Sequence, residues 1–206
     1  ALLASPSPHE ISIRQHFGCL VGESTVMHQL YETIKRIKGA DVNVLLQGES
    51  GSGKEMVAAA IHNASQPAGE WVATNCGALS RELIGSELFG HEKGAFTGAH
   101  QRKLGVFEQA DQGTLFLDEV TELPIDLQPT LLRALETRQI TRLGSQTPVR
   151  AECRVISATN RSEDEIVGKN LLREDVYFRL AVFPIKIPPL RERKEDIPLL
   201  VEFFMQ

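Results

Sequence analysis

Gly48, Glu49, Ser50, Gly51, Ser52, Gly53 and Lys54 spell G-x-x-x-x-G-K, and Glu55 follows. That spacing suits one kind of chemistry. Glycines let successive backbone N–H groups curl around a phosphate, a helix N-terminus adds its positive dipole end, and Lys54 supplies a point charge for the outer phosphates. Glu55 departs from the general motif, which places a Ser or Thr hydroxyl there for magnesium. A carboxylate beside phosphates would repel them. Glu55 is therefore expected to point away along the helix, and the metal needs another anchor.

That anchor is expected at Asp118-Glu119, which end the apolar run Thr114-Leu115-Phe116-Leu117. Two acids at the C-terminal edge of a buried strand stand where open α/β sheets bind ligands. Asp118 is suited to hold magnesium through its water shell, and Glu119 to orient or deprotonate an attacking water. Each motif has a plain alternative, a ligand-free Gly/Ser turn or two acids opening a loop. Their occurrence together weighs against both. A third stretch, Gly94, Ala95, Phe96, Thr97, Gly98 and Ala99, sets one aromatic ring among small residues. Either the ring folds back onto Leu88 or Phe89, or it is a contact for a partner.

The elements that must position these residues alternate between two grammars. Met27, Leu30, Tyr31, Ile34 and Ile37 recur at helical spacing, with Ser24 as N-cap and Gly39 as stop. Short apolar runs at 42–46, 71–74, 114–117, 155–158 and 182–187 read as five strands, the last at an edge because of Pro184. Helices are expected at 54–63, opened by the phosphate loop, and at 127–135, with Pro129 in its first turn. Residues 140–149, around Gly144-Ser145, read as a small hairpin. Strands alternating with helices imply an α/β fold with a mainly parallel five-stranded sheet covered on both faces.

The bulk numbers exclude several classes. With 206 residues the chain fits one domain, or one domain and part of another. A net charge of −5 gives no reason to expect nucleic-acid binding by this segment. No apolar run approaches the ~20 residues that span a bilayer, and there is no secretory signal pattern. Cys19, Cys76 and Cys153 match no metal spacing and read as small buried side chains in a reducing cytosol. Ser5-Pro6-Ser7-Pro8 reads as a linker, and the apolar helical pattern at 197–206 reads as the start of a further unit.

Taken together, the phosphate loop, the paired acids, GAFTGA at 94–99 and the tail PPLRERKEDI at 188–197 resemble the central AAA+ ATPase domain of sigma-54-dependent transcription activators, the bacterial enhancer-binding proteins. The resemblance runs from about Phe17 to the end. It implies an AAA+ P-loop NTPase core at 17–190 carrying the GAFTGA loop as an insertion, a linker at 1–16, and the start of a mostly absent helical lid at 191–206. The segment from Gly48 to Glu55 then corresponds to Walker A, and Asp118-Glu119 to Walker B. Asn75 would hold the catalytic Glu in an inactive pose. Asn160, after Thr159, would sense the γ-phosphate. Arg173 and Arg179 would reach a neighbouring subunit's nucleotide, and Val21-Gly22 would close over adenine.

The implied cofactors are ATP and Mg2+. The implied partners are sigma-54 RNA polymerase holoenzyme, contacted through residues 94–99, and further copies of the chain in a hexameric or heptameric ring. DNA contact and the sensor II arginine are expected only from segments outside this sequence, and a cytoplasmic protein, often of a two-component system, is implied. Residue by residue the alternatives are bland: a strand-end cap for Asn75, a turn for Thr159-Asn160 and solvated charge for both arginines. Arg191-Glu192-Arg193-Lys194 reads as a surface or interdomain ion-pair patch. The rival functions are an ATP-gated oligomerisation module without remodelling activity and another AAA+ remodeller.

Overall fold

The computed structural model describes residues 16–18 and 20–205. The expected linker, apart from residue 16, and Cys19 lie outside the described residues. A two-residue ribbon, β1 (His16–Phe17) and β2 (Leu20–Val21), leads into α1 (Thr25–Ile37). Ser24 caps that helix as expected, its hydroxyl accepting from the Met27 N–H at 3.4 Å. The helix stops at Ile37 and the chain turns through Lys38 and Gly39, the Ala40 N–H donating to the Ile37 carbonyl.

Next come β3 (Val44–Gln47), α2 (Lys54–Ser65), β4 (Trp71–Asn75), α3 (Arg81–Phe89), α4 (Val106–Gln109) and β5 (Thr114–Asp118). A 3-10 turn (Val120–Glu122) precedes α5 (Gln128–Thr137), whose first turn holds Pro129, where a missing N–H costs nothing. The hairpin pairs β6 (Gln139–Thr141) with β7 (Pro148–Arg150). The chain continues through β8 (Arg154–Thr159), α6 (Glu163–Gly168), α7 (Glu174–Leu180) and β9 (Phe183–Lys186). Two 3-10 turns (Leu190–Glu192, Lys194–Asp196) then lead to α8 (Ile197–Phe204).

The main sheet has the order β4-β5-β8-β3-β9, and every neighbouring pair is parallel. The strand containing Pro184 is an edge strand, as its missing N–H requires. Side chains alternate across the sheet. Val44 and Leu46 join α1 and α2 in one apolar layer. Leu45, Leu115, Leu117 and Val155 face the other layer, built from α3 to α7. With both faces covered, strand interiors are apolar at nearly every position. The ends of the strands are left to carry polar chemistry. Cys76 and Cys153 are buried free thiols.

Candidate active site

The C-terminal ends of β3, β4, β5 and β8 lie side by side, and polar groups collect there. From β3 the chain runs into Gly48, whose N–H donates to the Thr159 carbonyl at 3.2 Å. The loop then turns through Gly51 and Gly53 into the first turn of α2. Lys54 folds back over it, its Nζ donating to the Gly48 and Glu49 carbonyls at 3.0 Å each. Glu55 is exposed and is among the residues that border the cleft with Lys54.

Across a cleft of about 300 Å3, Lys54 faces Asp118, Glu119 and Asn160. Asp118 Oδ1 accepts from the Glu119 N–H at 3.0 Å. Glu119 has left-handed backbone angles (φ 50°, ψ 43°), a strained conformation for a residue that is not Gly, Asn or Asp. A methyl group on Gly77 would lie 2.6 Å from Glu119 Oε2, so the carboxylate rests against that glycine. The Cys76 thiol is pushed up to about 12 by burial first, then by the charges of Asp118 and Glu119.

Asn75 departs from the expected pairing. Its amide donates to Asp118 Oδ2 at 3.4 Å and its oxygen accepts from the Gly77 N–H at 2.8 Å. It therefore touches the first acid of the pair and the glycine behind the second, rather than Glu119 itself. Thr159 ends β8 with its hydroxyl 3.1 Å from that of Thr121, and the next residue, Asn160, borders both the cleft and a wider neighbouring groove of about 680 Å3.

Other expected residues are not brought to this cleft. Val21 and Gly22 border neither cavity; Gly22 sits against Met27 and Asp196, with the Tyr31 hydroxyl donating to its carbonyl at 3.1 Å. Burial, then the Asp196 carboxylate, push the Tyr31 phenol up to about 12. Arg173 and Arg179 are exposed on α7 and its N-cap. Arg173 pairs with Asp175 at 2.8 Å, and Arg179 Nη2 donates to the Leu135 carbonyl at 3.1 Å.

The tail corrects a further expectation. Arg191 does make a surface pair, bidentate to Glu49 at 2.7 Å, which holds that carboxyl below the usual range. Arg193 is buried instead and donates to the Ser52 carbonyl at 3.0 Å. Asp196 is buried too, accepting from the Glu23 and Ser24 N–H groups and the Ser24 hydroxyl. Gly77, Arg193 and Asp196 were missed in the sequence. For the last two, a charged pair three residues apart in a short turn was the available signal.

Gly94 to Ala99 form a closed loop, the Gly94 N–H donating to the Ala99 carbonyl at 2.8 Å. Gly94 and Gly98 take φ of 83° and 104°, which the tight turns require. Leu88 and Phe89 are both fully buried, Phe89 stacked on Phe107. Phe96 is 39% exposed and makes a T-shaped contact with the His91 ring, centroids 5.0 Å apart. The base of the loop is fastened to the hairpin: the Glu92 N–H donates to the Leu143 carbonyl, and buried Arg142 bonds Glu92 and both oxygens of Glu108.

Comparison with known proteins agrees with this architecture. Residues 20–186 match the family described as the Sigma-54 interaction domain. The chain is 49% identical over 187 residues to the DNA-binding transcriptional regulator NtrC of Azospirillum brasilense, covering 90% of this chain and 39% of that protein. It is 46% identical over 194 residues to the formate hydrogenlyase transcriptional activator FhlA of Escherichia coli, covering 94% of this chain and 28% of that one. Among solved structures, NtrX from Brucella abortus in complex with ATP superposes with a TM-score of 0.82 at 40% identity, covering 96% of this chain and 45% of that chain. The chain thus spans less than half the length of each of these relatives.

Proposed function

Because the chain belongs to the sigma-54 interaction domain family of transcription activators, with an AAA+ P-loop NTPase fold, we propose that it hydrolyses ATP and uses the cycle to move the loop at 94–99 against sigma-54 RNA polymerase holoenzyme, opening promoter complexes. One observation carries the reading: Lys54, Asp118, Glu119 and Asn160 border one cleft at the end of the sheet. Lys54 would exchange its two loop carbonyls for the outer phosphates of ATP. Glu119 would hold and deprotonate the attacking water. Asn160 would sense the γ-phosphate.

Asp118 fits a magnesium ion. A carboxylate has about four lone-pair sites, and among the described residues only the Glu119 backbone and Asn75 side-chain N–H groups engage this one. Such an ion neutralises charge on phosphate oxygens and is held in this mode by one or two carboxylates with water and phosphate. Arg173 and Arg179, exposed away from the cleft, are placed by this reading at a neighbouring subunit's nucleotide in a ring.

The test has two arms. Lys54→Ala should abolish ATP binding and turnover; retained turnover would refute the site. Thr97→Ala should keep hydrolysis and lose sigma-54-dependent promoter opening, and opening at the native rate would refute the role given to the loop. An ATP-gated oligomerisation module would leave promoter opening absent in the native chain as well.

A further inference from the structure

A phosphate loop can offer its N–H groups inward only if its carbonyls turn outward and are held there. Lys54 holds two of them, those of Gly48 and Glu49. On nucleotide binding Lys54 must let go, because its charge is needed at the phosphates. The Ser52 carbonyl is held differently. Arg193 reaches it from behind the loop, from 141 residues along the chain, through Nη2 at 3.0 Å.

Arg193 is built in. It is 9% exposed, its Nη1 lies 3.1 Å from Met27 Sδ, and its Nε has no partner among the described residues. A buried guanidinium with an unpaired N–H is costly, so a general fold-stabilising role would be poorly served by this geometry. Three residues on, Asp196 is wholly buried and accepts from the Glu23 N–H at 2.7 Å, the Ser24 N–H at 2.8 Å and the Ser24 hydroxyl at 2.8 Å. One short segment therefore grips the phosphate loop with a cation and the start of α1 with an anion.

We propose that Arg193 is a positioning residue for nucleotide binding: from behind the loop it keeps the Ser52 carbonyl turned out, so the loop is shaped for phosphate before ATP arrives. Asp196 anchors the segment that carries it. The inference rests on the ATP-binding reading above. It separates two cations by task, Lys54 moving to the phosphates and Arg193 staying in place behind them.

The test uses the native chain with Arg193→Gln and Arg193→Lys. A fluorescent ATP analogue is titrated, steady-state hydrolysis is followed, and the melting midpoint is read without nucleotide. Arg193→Gln should raise both the analogue's Kd and the KM for ATP by about ten-fold, as loss of one charge-assisted hydrogen bond would, with kcat at saturating ATP nearly unchanged. Arg193→Lys, which keeps charge and one donor, should recover most of the affinity. Native affinity in Arg193→Gln would overturn the proposal, as would equal falls in kcat and melting midpoint that Lys does not rescue. If Arg193→Gln does not fold, Arg193→Met takes its place, removing the donors while keeping most of the bulk: a raised KM at the native melting midpoint supports the role, and a native KM overturns it. A native chain that fails to bind the analogue would instead overturn the ATP reading itself.

Discussion

At Glu119 the backbone takes a conformation that few residues with side chains tolerate, and the carboxylate is seated against Gly77. Strain of this kind persists only where surrounding structure holds it, and the bare Cα of residue 77 leaves the room in which the carboxylate sits. Gly77→Ala should displace the carboxylate and cut ATP turnover by up to about 10²-fold, while the affinity for ATP stays close to native. Turnover at the native rate would show that the contact is incidental. The residues with contiguous motifs were legible in the sequence: Gly48 to Lys54, and Asp118 with Glu119. Gly77 and Arg193 were not, because their meaning lies in what the fold brings against them, the carboxylate of Glu119 and the carbonyl of Ser52.

Among the elements, the loop at 94–99 depends on the hairpin of β6 and β7 and on Arg142 between them. The Arg142 side chain is 10% exposed and that of Glu108 9%, so removing one partner strands a charge. Arg142→Met should destabilise the chain by about 3–5 kcal/mol in urea unfolding, whereas Arg142→Met with Glu108→Leu should restore most of that loss. Equal losses in the single and double variants would locate the effect in packing rather than charge. The five strands were legible because a doubly covered parallel sheet writes itself as short apolar runs, and Pro184 marked the edge. The helix α3 was not, since Ile84, Gly85, Ser86, Leu88 and Phe89 are all buried and leave no clean apolar stripe. The ring contact of Phe96 with His91 was not read from the sequence either, because it depends on how the loop closes.

For the molecule as a whole, the proposed function assigns a role to two arginines that do not border the cleft of their own chain. Arg173 and Arg179 lie on a different surface from the cleft, occupied by Asp175 and the Leu135 carbonyl. If they act in a neighbouring copy, specific ATPase activity should rise with protein concentration. Arg173→Ala should then lose turnover by at least about 10³-fold while binding ATP normally. Activity per molecule independent of concentration, with Arg173→Ala unaffected, would return both arginines to ordinary surface charge.

The strand order has a consequence in time. The phosphate loop follows β3 and the paired acids end β5, yet these strands are not neighbours; β8 lies between them, pairing Val44 with Ile156 and Thr114 with Arg154. During synthesis and refolding the two halves of the site are held at the right spacing only once residues 154–159 have inserted. Parallel pairings this distant in sequence close slowly. ATP added to a refolding chain should therefore leave the early phases unchanged and act only on the final one. In the finished protein it should slow unfolding, because the strand that separates the two halves of the site must leave before the ligand loses its grip. Stopped-flow refolding with and without nucleotide would reveal this order of events, and acceleration of the earliest phase by ATP would contradict it.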